Sequence, residues 1–546
     1  MVHVQWRETP PPPRIEEVAA RRLGAKFGSE RDATVNDAST GTFFGESLSS
    51  DRDVQLLDTT LRDGEQAPGI SLTPDEKAEI ARALDRAEVE YIEAGSACTG
   101  PGERETIKRV TSLDLDATVT SFSRGIKGDI ELAIDCDVDG VNLVVPASDR
   151  HIEDKIDTTY EEVLQNTAEL VEFAKDHGLW VEVIGEDGSR ADLDFLEDLA
   201  RTTHEAGADR FCFADTVGDA GPERVYEGVS RVADLGLTST HTHDDLGLAV
   251  TNVYASLRAG ADLVHGTING IGERAGNVAL EEVAIALHHC YDIETAKLDE
   301  LYDLAQIVSR ATGVPLAPNK AVVGENAFTH ESGIHTDGTL KDDRMYEPYE
   351  PETVGRERRL VLGKHAGRAG VRAALDEHGV DVTDDELAAV VERVKELGDK
   401  GKRVTDADLL AIAEDVQGRE RARRVTLVDL TTAAGGGTPT ASVRLEVDGE
   451  ERVASGTGSG PVDAAVQAVR SALGSQADAQ LDSYHVDAIT GGTDAVVTVE
   501  VEMSRGDRTV TVAASDSDIT RASVEAMIEA LDRLLATSDD PVPADD

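Results

Sequence analysis

The chain is short of cysteine, short of positive charge, and free of any long apolar run. Four cysteines are scattered through 546 residues, at Cys98, Cys136, Cys212 and Cys290, with no CxxC pair. That spacing excludes a disulfide scaffold and a zinc-ribbon type of site, and it reads as reduced thiols in a reducing compartment. No stretch approaches the ~18 consecutive apolar residues of a membrane-spanning helix. The opening MVHVQWRETPPPPRIEEVAARRLGAKF has no apolar core of a signal peptide, so a cytoplasmic protein is expected. Lysine and arginine total 53 against 107 aspartates and glutamates, a formal charge of -54. Such a balance offers no basic face and excludes nucleic-acid binding. The acidic residues run along the whole chain and do not form a tail. Their mutual repulsion destabilises a compact state at low ionic strength and is screened in molar salt, so a salt-loving (halophilic) host is expected.

What is present is a rhythm. Residues 1–50 are rich in Pro, Ser, Thr and Gly and read as an N-terminal extension. Short apolar runs follow at VQLL (54–57), VEYIEAG (89–95), ATVTSF (117–122), GVNLVVP (140–146), WVEVIG (180–185), RFCFAD (210–215), TSTHTH (238–243) and DLVHGTI (262–268). Acidic stretches of helical period, such as PDEKAEIARALDRA, separate them. Eight strands alternating with helices over residues 51–292 predict an α/β fold, a (β/α)8 TIM barrel; the rival is an open doubly wound sheet. Residues 293–422 read as helical linker subdomains after a loop-rich opening. Residues 423–546 carry an internal repeat: TASVRLEVDG and ERVASGT lead into a helix, then DAVVTVEVEM and RTVTVAAS lead into another. Two strand-strand-helix units predict a C-terminal α+β domain with pseudo-twofold symmetry.

Catalytic groups of such a barrel sit at the C-terminal ends of its strands. After the first strand come Arg62, Asp63 and Glu65. The second carries Glu93, the fourth Asn142 with Ser148 beyond it, and the fifth leads to Glu186 and Asp187. The sixth ends at Asp215 and Thr216, the seventh bears His241 and His243, and the eighth runs into NGIGERAGN (269–277). Positions i and i+2 of a strand face one side, so the two imidazoles can grip one cation. Asp63 would stand beside them once the first and eighth strands adjoin, and Asn277 could add an amide oxygen. Two imidazoles and a carboxylate with open positions suit a divalent Lewis acid. An isolated HxH is weak evidence, but HTHDDLG is polar throughout, which disfavours two merely structural histidines. The glycines of NGIGERAGN lack the full dinucleotide-binding spacing and read as a tight turn. Glu93, inside a barrel, must find partners, and Arg62 or a metal-bound water is the expected one.

The segments DTTLRDGEQAPGISLTPDEK, YIEAGSA, GEDGSRAD, ADTVGD, HTHDDLGLAVTN, NGIGERAGN, NKAVVGENAFTHESGIHTDG and LGKHAGR, in this order, resemble the 2-isopropylmalate, citramalate and homocitrate synthase family. The resemblance runs from about residue 52 to the C-terminus and lies closest to archaeal-type (R)-citramalate synthases. It implies a divalent metal (Mn2+, Mg2+, Co2+ or Zn2+) at Asp63, His241, His243 and Asn277, and acetyl-CoA as co-substrate. It implies that Arg62 steadies the oxo-acid oxygen or the developing enolate, that Thr216 binds the substrate carboxylate, and that Glu186 helps remove the acetyl proton. His335 and Tyr346 match catalytic residues of the linker, which in the family reaches a partner subunit's barrel, so at least a homodimer is implied. The C-terminal repeat resembles the family's allosteric domain, with isoleucine or leucine as effector.

VNLVVPAS, with Asn142, and Ile184 two residues before Glu186, where many isopropylmalate synthases carry Ser, point to pyruvate as the oxo acid. The expectation is therefore condensation of acetyl-CoA with pyruvate to (R)-citramalate, on a route to isoleucine. The alternative is 2-isopropylmalate formation from 2-oxoisovalerate, towards leucine. From another class, a metal-dependent acyl-CoA lyase shares the Arg-Asp pair and the HxH but lacks the linker and the C-terminal repeat.

Overall fold

The computed structural model describes residues 48–331, 342, 345–399, 404–418, 423–435, 437–474, 478–488, 497–506 and 508–535. Eight parallel strands close into a barrel in chain order: β1 (Gln55–Asp58), β2 (Tyr91–Glu93), β3 (Thr118–Arg124), β4 (Gly140–Pro146), β5 (Trp180–Glu186), β6 (Arg210–Asp215), β7 (Thr238–Thr242) and β8 (Leu263–Gly266). Each strand falls on one of the eight apolar runs of the sequence. Closure sets Leu57 of β1 opposite both Tyr91 of β2 and His265 of β8. β4 is buried at six of its seven positions, because an all-parallel strand is covered on one side by helices and on the other by the barrel interior.

Local chemistry starts the helices where the rhythm predicts. Before helix Pro74–Arg86, the Thr73 hydroxyl accepts from the Glu76 amide while the Glu76 carboxylate accepts from the Thr73 amide, with Pro74 at the first helical position. The same reciprocal box, Thr159 with Glu162, opens helix Tyr160–Asp176. Each such cap is worth about 1 kcal/mol.

The barrel interior holds many polar side chains, and strand register defines their tiers. Glu93 lies opposite Thr120, Asn142 opposite Glu182, Glu182 opposite Arg210, and His241 opposite His265. The end at which the strands begin is plugged by charge: Arg210 donates to Gln55 Oε1 at 2.7 Å and pairs with Asp262.

Beyond the barrel, helices Arg368–Glu377, Asp384–Asp399 and Asp406–Val416 share a core that includes Val371, Leu375, Val390, Val394 and Leu409. The C-terminal part is two three-stranded antiparallel sheets, Val425–Gly435/Gly437–Val447/Glu450–Thr457 and Gln480–Ala488/Val497–Arg505/Arg508–Asp516. Helices Pro461–Leu473 and Ile519–Leu535 pack one against each sheet. The structure thus adds a leading strand to each unit of the repeat. Those strands escaped the pattern because little apolar alternation marks them: Val425–Gly435 buries a single residue, Val425. Among the described residues no helix is long and apolar enough to cross a membrane.

Candidate active site

β1 ends in a tight turn in which the Thr59 carbonyl accepts from the amides of Arg62, Asp63 and Gly64. This turn aims Arg62 and Asp63 across the mouth. It is fastened from behind by Lys77, a fully buried lysine whose Nζ lies 2.7 Å from Glu65 and 2.8 Å from Glu103. Glu65 also accepts from the Leu72 amide at 2.9 Å, so it is committed to the turn.

The donor atoms of Asp63, His241 and His243 lie within 4.8 Å of one another, and all three residues are buried. Asn277 is brought beside them by a backbone bridge to His243. Its amide nitrogen donates to Asp63 Oδ1 at 3.1 Å and to the Ile271 carbonyl at 3.2 Å, while its Oδ1 is buried without a hydrogen-bond partner. The turn that delivers Asn277 depends on Gly276 (φ 86°), where a Cβ would stand 1.9 Å from the Gly270 carbonyl oxygen. This is the tight turn read from NGIGERAGN; Glu273 within it points to solvent.

Burial sets the protonation of this group. It drives the His241 imidazole far below its ordinary range and lowers His243 as well. Burial also raises the Asp63 carboxyl, but the Arg62 guanidinium beside it, with the two imidazoles, holds it well below the usual carboxylate range. Two neutral imidazoles and one carboxylate are the forms that ligate a cation. His241 Nε2 lies 3.7 Å from Asp63 Oδ2, and Asn277 Oδ1 beside them is buried with no hydrogen-bond partner. Orphaned buried acceptors are costly, and a divalent ion would satisfy such donors; the residues present fit one.

Arg62 donates to Asp63 Oδ2 at 2.7 Å and pairs with Glu93 through Nε, and its guanidinium lies 4.7 Å from the centroid of the Phe122 ring. Glu93 is fully buried, as its position required, and takes a second bond from Asn142 Nδ2 at 2.8 Å. Asn142 is thus tied to Glu93 and Thr120 through its nitrogen, leaving its Oδ1 without a partner. Ile184 faces the interior two residues before Glu186 and packs with Val144, Cys212 and Ala214 in a small apolar wall.

Two acids follow β5, and the structure separates them. Asp187 (φ 65°) is fully buried and accepts from Ser148 and from Arg190 Nε at 2.7 Å. Glu186 is half-buried, held by Lys155 Nζ at 2.8 Å and with His151 Nδ1 3.0 Å away. His151 and Lys155, one turn apart in helical segment Arg150–Ile156, were not anticipated; their i, i+4 spacing in RHIEDKI was the available signal. Thr216 accepts the Asp187 amide at 2.9 Å, which leaves its hydroxyl proton to donate. Tyr346 is 41% exposed. Three residues on, Tyr349 packs against His289 in the last turn of helix Leu280–Tyr291 (ring centroids 5.9 Å apart). A helix following a strand runs back down the barrel, so that anchor lies away from this chain's own mouth. His335 lies outside the described residues.

A closed parallel barrel with an Arg-Asp turn, paired histidines and an asparagine at its mouth defines an HMGL-like enzyme, and the HMGL-like family model matches residues 53–308. The homocitrate synthase post-HMGL domain-like model matches 322–402 and the LeuA allosteric (dimerisation) domain model 403–535. The chain belongs to the (R)-citramalate synthase family, whose members are synthase-type acyltransferases. The (R)-citramalate synthase of Methanocaldococcus jannaschii is 48% identical over 88% of this chain and 99% of its own length. A relative from Methanothermobacter thermautotrophicus, provisionally named for the same activity, is 53% identical over 88% of this chain and 98% of its own. Among solved structures, an HMG-CoA lyase of Bacillus subtilis is 21% identical, with a TM-score of 0.45 over 49% of this chain and 97% of its own.

Proposed function

We propose that the chain condenses acetyl-CoA with pyruvate to give (R)-citramalate and free CoA, in the service of isoleucine synthesis. The observation that carries the choice of oxo acid is the Ile184 wall with Val144, Cys212 and Ala214, whose apolar bulk in this reading favours a methyl over an isopropyl substituent. Asp63, His241, His243 and Asn277 would hold the divalent cation (Mn2+, Mg2+, Co2+ or Zn2+), which when bound polarises the keto and carboxylate oxygens of the oxo acid.

This chain's own groups do the rest. Thr216 donates its hydroxyl proton to the oxo-acid carboxylate. Glu186 accepts a proton from the acetyl methyl group, with Lys155 donating to it and His151 beside it. Arg62, clamped between Asp63 and Glu93, keeps a fixed positive charge where enolate oxygen develops, a preorganised arrangement that costs no motion during reaction. The methyl carbon then bonds to the keto carbon, the keto oxygen gains a proton, and water hydrolyses the thioester to release the CoA thiol. None of these steps needs a cysteine. His335 and Tyr346 act in the barrel of a partner subunit, in a homodimer joined through the C-terminal domain. That domain takes an amino-acid effector, isoleucine in this reading, and the enzyme works in the cytoplasm of a salt-loving cell.

The test is product analysis by mass spectrometry after incubation with acetyl-CoA and, separately, pyruvate, 2-oxoisovalerate and 2-oxoglutarate in molar KCl with Mn2+. A higher kcat/KM for pyruvate supports the proposal. A higher value for 2-oxoisovalerate would leave the chemistry in place and move the enzyme to 2-isopropylmalate formation.

A further inference from the structure

Beneath the mouth, a second cluster of ligand-type side chains lies inside the barrel. Glu182 of β5, Cys212 of β6 and His265 of β8 bring one donor atom each within 4.8 Å of one another. All three are at most 1% exposed. His265 Nε2 and Glu182 Oε2 stand 2.9 Å apart, yet neither atom has a hydrogen-bond partner, and His265 Nδ1 has none either. They are close but misaligned for a hydrogen bond. Glu182 Oε1, by contrast, is satisfied by the Ser239 hydroxyl, so Ser239 fixes the carboxylate with its second oxygen turned toward Cys212 and His265.

Buried polar atoms that face one another unpaired are costly. A cation among them removes that cost. Carboxylate, imidazole and thiolate together form a borderline-soft donor set that suits a tetrahedral ion of the zinc type. Tetrahedral ligation at about 2.0–2.1 Å separates nitrogen and oxygen donors by about 3.3 Å, a few tenths of an ångström more than the gap present. Charge also closes: a divalent cation, one carboxylate, one thiolate and one neutral imidazole sum to zero, and the fourth corner of the tetrahedron falls to an enclosed water. Without a cation the thiolate is untenable, since burial and the neighbouring Glu182 charge push the Cys212 thiol well up.

We propose that Glu182, Cys212 and His265 form a second, structural metal site for a zinc-type divalent ion, which ties β5, β6 and β8 together inside the barrel. It is separate from the group at the mouth, which contains no sulfur; His265 and His241 are neighbours, with ring centroids 5.8 Å apart, but each belongs to its own donor set. The ion would enter during folding, because the site is sealed.

The test uses sulfur as a reporter. The full chain is produced in minimal medium with Co2+ as the added transition metal, then washed with a chelator, and its near-ultraviolet spectrum and metal content are measured. The expected result is a thiolate-to-cobalt charge-transfer band with at least one retained equivalent of cobalt. The band should be lost in Cys212→Ser and retained in Asp63→Asn, which disables only the mouth. A wild-type protein without the band would overturn the proposal, and so would a band that survives in Cys212→Ser, since Cys98 or Cys290 would then be its source. Should Cys212→Ser fail to fold, His265→Gln replaces it: loss of the band supports the site, and an unchanged band refutes it.

Discussion

Replacing Glu93 by Gln isolates what the buried acid beneath Arg62 does. Gln matches Glu in shape but carries no charge, and it must meet two donors, Arg62 Nε and Asn142 Nδ2, that now share the two carboxylate oxygens. Its amide oxygen can serve one of them. Its amide nitrogen then faces the other donor to donor, leaving one buried group unsatisfied at about 1–3 kcal/mol. Arg62 also loses one of its two counter-charges and leans wholly on Asp63, the carboxylate proposed to face the cation. Changes to the residues that orient metal ligands commonly cost 10–100-fold in affinity, which is about 1.4–2.8 kcal/mol. The expectation for Glu93→Gln is therefore a Mn2+ Kd weakened by about 10–100-fold, read by isothermal titration calorimetry. Denaturant unfolding of the metal-free protein would report a loss of about 1–3 kcal/mol. A variant that loses stability but binds Mn2+ within twofold of wild type would refute the reasoning and reduce Glu93 to a packing residue.

Ile184→Ala removes the main volume of the apolar wall and should shift the kcat/KM ratio toward 2-oxoisovalerate by roughly tenfold or more, the worth of a methylene or two; an unchanged ratio in parallel kinetics would remove Ile184 from the specificity determinants. Asp58, fully buried, is pushed up to about 7 by burial, against opposing bonds from Thr60. Because the folded state holds this proton more tightly than the unfolded chain, the contribution is complete below pH ~4 and declines as pH rises to about 7. The stability of Asp58→Asn relative to wild type should accordingly improve between pH 5 and 8 in denaturant titrations, and a flat difference would contradict the assignment. The net charge of -54 predicts a melting temperature that climbs from dilute buffer to molar KCl, followed by differential scanning calorimetry; a protein more stable in dilute buffer would refute the salt-loving reading.

The barrel was legible because parallel strands buried on both faces leave apolar runs, as in GVNLVVP, and because its polar residues sit just past those runs. The partnership of Arg62 with Glu93 could be foreseen from the cost of burying an acid in a barrel. Other features depend on distances that no local pattern encodes. Lys77 looks in sequence like one more surface residue of an amphipathic helix, yet it is sealed between Glu65 and Glu103. His151 and Lys155 reach Glu186 from a helical segment that lies 31 residues earlier in the case of Lys155, and only tertiary packing decides that Asp187 turns inward while Glu186 stays at the mouth. The leading strands of the C-terminal sheets carry too little buried apolar surface to announce themselves. The lower cluster of Glu182, Cys212 and His265 draws on three strands spread over more than 80 positions of chain, each looking on its own like an isolated polar residue in a strand.

We propose that the group at the mouth, Asp63 with His241 and His243, supports the acetyl transfer. Its most direct test is the rate of free-thiol release from acetyl-CoA with pyruvate, measured in molar KCl before chelation, after chelation, and after Mn2+ is added back. The expected release is lost on chelation and restored by Mn2+ in wild type, and stays absent in His241→Ala and His243→Ala despite Mn2+. Thiol release that persists through chelation, or that survives the loss of both histidines, would contradict it.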